Sequence, residues 1–507
     1  MPWAASAIDD LARSCGLQWQ GMPPIYMTNR APCRDNGKAC HGVHHQTETT
    51  GAEGERSMGK SVSAARIGSD TGYSNGLHAF ACCGCRRDLP VVRRSKTLVQ
   101  EMTARSVARE HGCPGSRQVR RAGGWRTLAR IACFVAMAGS GASVAGEPGV
   151  TDDAIRLGMV NAQTGNSSGL GHGLMVGAQA VFDDANAHGG VHGRRIDLVV
   201  ADDRYEPDRT VDDTLEMIER RNVLALFGYV GTPTTTAVLP MIRDAGIPLI
   251  GIFSGAMALR RPVIPEVFNI RASYDDETRV LVEHLIAHDR AKRFAVFYQD
   301  DGFGLAVLAG TRLVLQRHGL DVVATGTFRR GTTAVATGLA AVLDGRPDVV
   351  IMVGPYTPVA AIIRAVHREG LDARLAAVSF VGTDDLVRLI GDEGNGTLIS
   401  QVVPLPRNER PVIRDCARLI AQRFPDEQVG VVHIEGCLDA KIALIGLERA
   451  GPQPTRATLK QALESIHHLD LGGLVVNLGA DDHQALNDVF LTEIAHGRIT
   501  PLDAPAR

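Results

Sequence analysis

A run of glycines and hydroxyls, Gly228-Tyr229-Val230-Gly231-Thr232-Pro233-Thr234-Thr235-Thr236, offers many hydrogen-bond donors in nine residues. It follows the apolar run Val223 to Phe227, which reads as a buried strand, and precedes Ala237 to Ile242, which reads as a helix. A helix start leaves unpaired N–H groups and a partial positive charge, so it suits a carboxylate. Hydroxyls on Thr232, Thr234 and Thr235 would add donors beside those amides. The plain alternative is an N-cap in an ordinary α/β fold.

Other patterns carry less chemistry. Gly165-Asn166-Ser167-Ser168-Gly169 matches G-x-S-x-G, but Ser167 sits mid-loop, where a nucleophile elbow needs a tight strand-to-helix turn. Gly169-x-Gly171-x-Gly173 lacks the spacing of a dinucleotide fingerprint. His284 and His288 are four apart with Glu283 but do not form H-E-x-x-H, and they read as a solvated helix face. Asp202-Asp203 ends a strand, where paired acids would hold a cation, a ligand ammonium or simply the next turn. No acid–base pair stands out, so neither catalysis nor a cofactor is expected.

The elements that must position these residues alternate regularly from residue 152 onward. Strands are expected at 155–160, 196–201, 223–227 and 248–253, with helices between them. A stretch around Phe268 to Thr278 interrupts the pattern, and the alternation then restarts. The second series has strands at 294–298, 322–327, 349–353 and 376–381, followed by 398–403. Helices follow at 412–423, 434–450 and 456–466, then extended pieces at 474–478 and 489–494. Such alternation predicts parallel sheets covered by helices on both faces, and the restart predicts two of them. Ligands of open α/β sheets bind beyond the carboxyl ends of the strands. The loops there are 163–171, 228–236, 253–257, 299–304 and 354–358, all rich in groups that bind and not obviously catalytic.

The front of the chain is different. Residues 1–118 show no sustained period and hold seven of the ten cysteines. Cys82-Cys83-Gly84-Cys85 invites a zinc reading but lacks a matching second pair. Arg117 to Arg126, the apolar Ile131 to Ala138 and Ser143-Val144-Ala145 form a secretory signal with a cut after Ala145. Its internal position predicts that translation begins at Met102 or at a later codon such as Val119, leaving residues 1–118 untranslated or disordered. N-terminal sequencing tests this; a mature chain retaining residues 1–100 would sink it. Cys416 and Cys437 remain after such a cut, and both fall on expected helices, so a disulfide and buried free thiols are both open. The net charge of −2 gives no argument for nucleic acid or an anionic membrane surface.

Taken in order, the motifs resemble the type I periplasmic solute-binding proteins, the leucine/isoleucine/valine-binding group of branched-chain amino acid ABC transporters. The stretches are Ile155 to Gly158, Asn186 to Arg194, Asp202-Asp203-x-Tyr205-Glu206-Pro207, Ala225 to Thr232, Phe268 to Tyr274, Val296 to Gly304 and Gly436-x-x-x-Ala440-Lys441. The resemblance covers about residues 152–500. It implies an α/β fold of two lobes, each a mostly parallel sheet with helices on both faces, joined by hinge crossovers. Lobe I would hold 152–271 and about 404–470, and lobe II 272–403 with part of the C-terminal end.

The resemblance implies a role for ten residues. Thr232 and Thr234 with Phe253-Ser254-Gly255 would hold a ligand carboxylate. Phe303 and Tyr356 would pack on the ligand body, and Gln299 or Asp300 would bond its polar end. Ser379 aligns with the family's acidic partner for a ligand ammonium and cannot balance a charge; Asp300 or Asp384 would then take that part, or the ligand is not an α-amino acid. Leu170 stands where the family has an aromatic residue. The expected protein is an exported, monomeric periplasmic binding component that delivers an amino acid or a related carboxylate or amide to a membrane permease. It would be neither an enzyme nor a metal or nucleic-acid binder. A ligand-sensing domain serving a membrane receptor is the alternative.

Overall fold

The computed structural model describes residues 146–502. The proposed signal peptide and the cysteine-rich segment lie outside the described residues. Five strands form the first sheet: β1 (Ala154–Asn161), β2 (Arg195–Asp202), β3 (Ala225–Phe227), β4 (Leu249–Ile250) and β5 (Val267–Phe268). They run parallel in the order β2-β1-β3-β4-β5. Between them run α1 (Ser168–Ala187), α2 (Pro207–Glu219) and α3 (Thr232–Ala245). Near-continuous burial along β1 follows from helices on both faces.

A second sheet is built on β6 (Phe294–Gln299), β7 (Val322–Phe328), β8 (Val349–Val353), β9 (Arg374–Ala377) and β10 (Leu398–Gln401). Its helices are α4 (Tyr274–Ala287), α5 (Gly302–Arg317), α6 (Ala336–Asp344), α7 (Tyr356–Arg368) and α8 (Thr383–Ile390). Every residue of β8 is buried, as the all-apolar Val349-Val350-Ile351-Met352-Val353 requires. Helices α9 (Pro411–Arg423), α10 (Val431–Ala450) and α11 (Arg456–Glu464) then return to the first half, where α9 and α10 pack on α1. A two-stranded ribbon, β11 (Leu469–Asp470) with β12 (Val475–Val476), follows. The chain ends by adding β13 (Phe490–Ala495) and β14 (Arg498–Pro501) antiparallel to the second sheet, in the order β14-β13-β10-β9-β8-β6-β7.

The chain therefore passes between the two halves three times. Two of the passages run together: Asn269 N–H donates to His483 O (2.8 Å), and Ala485 N–H to Asn269 O (2.8 Å). The α/β alternation matches the sequence expectation, with local differences. The strand expected at 248–253 is confined to Leu249–Ile250, and β5 lies where the alternation is expected to pause. The polar loop after β1 is shorter than expected, because Ser168 to Gly171 already belongs to α1. The expected strand at 376–381 ends at Ala377, and Ser379–Val381 is a 3-10 turn held by a buried carboxylate described below. Helix α8 and strand β14, of eight and four residues, are not among the expected elements.

Cys416 on α9 and Cys437 on α10 form a disulfide with a Cα separation of 5.8 Å. Packing of the two helices brings the Cα atoms into bridging range, which resolves the two possibilities left by sequence.

Candidate functional site

The Gly228–Thr236 turn is held from three directions. Asn161 Nδ2, at the end of β1, donates to Gly228 O (2.7 Å). Phe253 N–H donates to Tyr229 O (2.8 Å), and Gly231 N–H donates to Phe253 O (3.1 Å). Gly231 has φ 103°, and a Cβ there would lie 2.3 Å from the Tyr205 ring, so the position requires glycine twice over. Thr232 opens α3, and its Oγ1 pairs with Ser254 Oγ at 2.8 Å. Thr235 N–H donates to Gly231 O, which leaves the Thr232 and Thr234 N–H groups as the first-turn donors. Gly255 backs the site: a Cβ would meet the Tyr274 ring at 2.4 Å.

Rings from both halves converge beside this turn. Phe380, in the turn after β9, lies 4.4 Å from Phe303, 5.3 Å from Phe253 and 5.9 Å from Tyr205, centroid to centroid. Tyr274 lies 5.3 Å from Phe303. The start of α5 faces the start of α3 closely enough that a Cβ on Gly302 would sit 3.7 Å from the Thr232 methyl. Hydrogen bonds tie the rim. Gln299 Nε2 donates to Tyr205 Oη (3.2 Å), Gly169 N–H donates to Tyr356 Oη (3.2 Å), and Thr357 Oγ1 donates to Asn166 O (3.0 Å).

Beneath the rings lies a buried charge cluster. The Arg271 guanidinium stacks on the Phe253 ring with Cζ 4.3 Å from its centroid. Its Nη2 donates to Ser379 Oγ and is 3.7 Å from Glu277 Oε1; its Nε is 3.5 Å from Glu435 Oε1. Glu277 accepts from Ser379 N–H (2.8 Å), Ser379 Oγ (3.0 Å) and Ser400 Oγ (2.6 Å). Arg260 donates to the carbonyls of Ser254, Ala256, Arg271 and Ala272. Asp439, one turn beyond Glu435 on α10, is fully buried, with one oxygen unpaired. Burial opposes charge on Arg271, but Glu435 and Glu277 outweigh it and raise its pKa. For the acids burial dominates. It raises Glu277 against the pull of Arg271 and the serines, and raises Glu435 and Asp439, which also repel each other.

The structure brings Thr232, Phe253, Ser254, Gly255, Gln299 and Phe303 together, with Tyr356 at the rim and Ser379 on Arg271. Three expectations need correction. Thr234 turns its hydroxyl back to Val230 O and Gly231 O, satisfying its own helix turn. Asp300 is exposed and contributes only its N–H, to Phe328 O; it is Asp301 that turns inward, accepting from Phe303 N–H, Gln299 Nε2 and Arg330 Nη1. Asp384 is also committed, accepting from Val431 N–H at the start of α10 (2.7 Å).

Asp202 and Asp203 hold turns. Asp202 accepts from the N–H groups of Gln163, Thr164 and Arg204. Asp203 accepts from Tyr205 N–H and Thr210 Oγ1, both at 2.8 Å, and fixes the left-handed Arg204 and Tyr205 (φ 55° and 64°) that put the Tyr205 ring in place. Ser167 stands at the N-cap position of α1 without a side-chain capping hydrogen bond. No group of metal-ligating side chains occurs among the described residues. Phe380, Tyr205, Tyr274, Arg271, Glu277 and Glu435 escaped the sequence reading. The one legible signal was Arg271, a lone cation in the apolar stretch 267–272.

Over residues 154–498 the chain matches the family described as periplasmic binding protein. An amino acid binding protein of Pseudomonas aeruginosa is 25% identical over 235 residues, 46% of this chain and 63% of its own length, so the match spans under two thirds of that relative. The leucine-, isoleucine-, valine-, threonine-, and alanine-binding protein of the same organism is 20% identical over 73% of this chain and 95% of its own. Among solved structures, a possible leucine/isoleucine/valine-binding protein from Rhodopirellula baltica is 33% identical, with TM-score 0.67 over 69% of this chain and 96% of that one.

Proposed function

Because the chain belongs to the periplasmic binding protein family, we propose that it is the exported, periplasmic solute-binding component of an ABC importer. Its solute is a small carboxylate or amide, of the branched-chain amino acid type or close to it, held between the two sheets and delivered to a membrane permease. The observation that carries this reading is the Thr232–Ser254 hydroxyl pair at the open start of α3, set against aromatic and polar groups of the other half. A carboxylate there meets two hydroxyls, the free N–H groups of α3 and the positive end of its dipole. Phe303 and Tyr356 bound the solute's body, and Gln299, whose Oε1 is buried without a partner, accepts from its polar end. Phe253 and Gly255 shape the floor, and Ser379 acts through Arg271 and Glu277 instead of touching the solute's charge. The reading assigns no reaction.

Solute contacts to both halves favour the joined arrangement over a separated one. A thermal-shift screen of the chain against amino acids, small carboxylates and amides tests this. A solute at about a hundred times its Kd stabilises the fold by roughly 2.7 kcal/mol, a shift of degrees. Silence across the whole panel would sink the importer reading and favour the receptor-coupled sensor.

A further inference from the structure

We infer that Phe380 is the specificity-determining residue of the cleft: its ring fills the space between the two halves that a solute's body would take. Among the proposed solutes, short bodies are therefore favoured over branched or aromatic ones. The inference rests on the solute-binding reading and adds what limits the solute's size.

A carboxylate held by Thr232 and Ser254 would direct its body toward Phe303 and Tyr356, and the turn after β9 already stands against both. The Phe380 ring lies 4.4 Å from Phe303, and a Cβ on Gly382 would lie 3.4 Å from Tyr356 Cδ1. From the second half, Phe380 also reaches two rings of the first. Phe253, the neighbour of Ser254, is 5.3 Å away and Tyr205 is 5.9 Å away. Tyr205 in turn closes on Gly231, beside Thr232. Phe380 is 0% exposed, and its three ring neighbours are buried with it. These centroid separations are those of directly packed aromatic pairs. A branched or aromatic body therefore enters only by displacing the Phe380 ring, whereas a short solute needs room only at the hydroxyl pair.

The turn that carries the ring is held firmly. Glu277 accepts from Ser379 N–H (2.8 Å) and Ser379 Oγ (3.0 Å), and Arg271 donates to the same hydroxyl. Val381 N–H donates to Val378 O (3.0 Å) and Gly382 N–H to Ser379 O (3.2 Å), which closes the 3-10 turn around Phe380. Gly382, at φ 73°, abuts the first half so closely that a Cβ would lie 2.6 Å from Leu170 Cδ2. Ser379 thus positions its neighbour: its bonds to the buried Glu277 aim Phe380 into the cleft. Moving a ring so held gives up close contacts on several sides in a packed interior, and that cost falls on large solutes alone.

The test is isothermal titration of the full chain with two series of graded body size: propanoate, 4-methylpentanoate and 3-phenylpropanoate, and L-alanine, L-leucine and L-phenylalanine. In at least one series the shortest member should bind about tenfold or more tightly than the phenyl-bearing one. Phe380→Ala should raise affinity for the phenyl-bearing member about tenfold and leave the shortest within about threefold. Phe380→Leu should fall between the two, and it carries the comparison if the Ala variant does not fold. A melting temperature above the titration temperature shows that each variant is folded. Native affinity that rises with body size overturns the inference, as does an unchanged size preference in a folded variant. If neither series binds but another solute of the broader screen does, solute binding stands, and the inference falls unless Phe380→Leu admits a homologue larger by one ring. If nothing binds, both fall.

Discussion

At the Gly228–Thr236 turn the polar groups are uncharged, and so are their partners from beyond it, Asn161, Thr214, Phe253 and Ser254. Around Arg271 the groups are charged and fully buried, and they come from the first crossover, the start of α4, the turn after β9, β10 and α10. The regions touch, since Arg271 lies on Phe253, the neighbour of Ser254. The difference teaches that one cleft can be assembled in two ways. Its helix-start wall depends on local geometry that few mutations outside it reach. Its charged floor depends on every segment that meets there, and so couples the two halves of the molecule.

The sharpest way to break that contrast is Arg271→Met. It leaves Glu277 and Glu435 buried without their cation, and removing one partner of a buried pair costs about 3–5 kcal/mol. Urea denaturation should show this loss, and Arg271→Met with Glu277→Leu should recover part of it. A loss under 1 kcal/mol for the single variant would mean that the floor is not energetically coupled.

Next in size is the disulfide, which joins α9 to α10 on the helical layer that carries Glu435. Closing a loop of 21 residues restricts the unfolded chain by about 3 kcal/mol. Cys416→Ser with Cys437→Ser, or reduction of the native chain, should lower the melting temperature accordingly. An unchanged melting temperature under reducing conditions contradicts this.

Asp203 tests the edge between the regions through pH. Burial pushes its pKa from 3.8 up to about 6, against the pull of Tyr205 N–H and Thr210. The folded state therefore holds the proton more tightly than the unfolded one. The favourable contribution is complete below about pH 4, is lost as pH rises through about 6, and stays lost above it. Relative to Asp203→Asn, the native chain should lose roughly 2–3 kcal/mol across that window. Parallel pH curves for the two proteins would refute the assignment.

The smallest expected effect belongs to the uncharged wall. Thr232→Val removes the bond to Ser254, about 1 kcal/mol of stability, while solute affinity should fall about tenfold through the lost carboxylate donor. A stability loss as large as that of Arg271→Met would erase the distinction drawn between the two regions.

Much of the fold was legible because strand–helix alternation is a local signal. The run Val349 to Val353 could only be a strand buried on both faces, and the restart after Phe268–Thr278 marks the passage between the sheets. The helix-start turn was legible for the same reason, since Gly231 and Thr232 are neighbours. Asp300 and Asp301 could not be told apart, because adjacent residues point in different directions and only the N-cap geometry of α5 chooses between them. Thr234 carries the right hydroxyl for a ligand and the wrong orientation.

By itself, then, the sequence determined the two α/β halves, the carboxylate-suited start of α3 and the family's motif order. The tertiary structure decided the rest. It paired Cys416 with Cys437 across two helices, brought Phe380 into the ring cluster, and placed Glu435 on the guanidinium that Ser379 also binds. Those outcomes depend on side chains separated by 21 to more than 150 residues. No period of 2 or 3.6 reaches across such distances, whereas burial of opposite charges in one volume does.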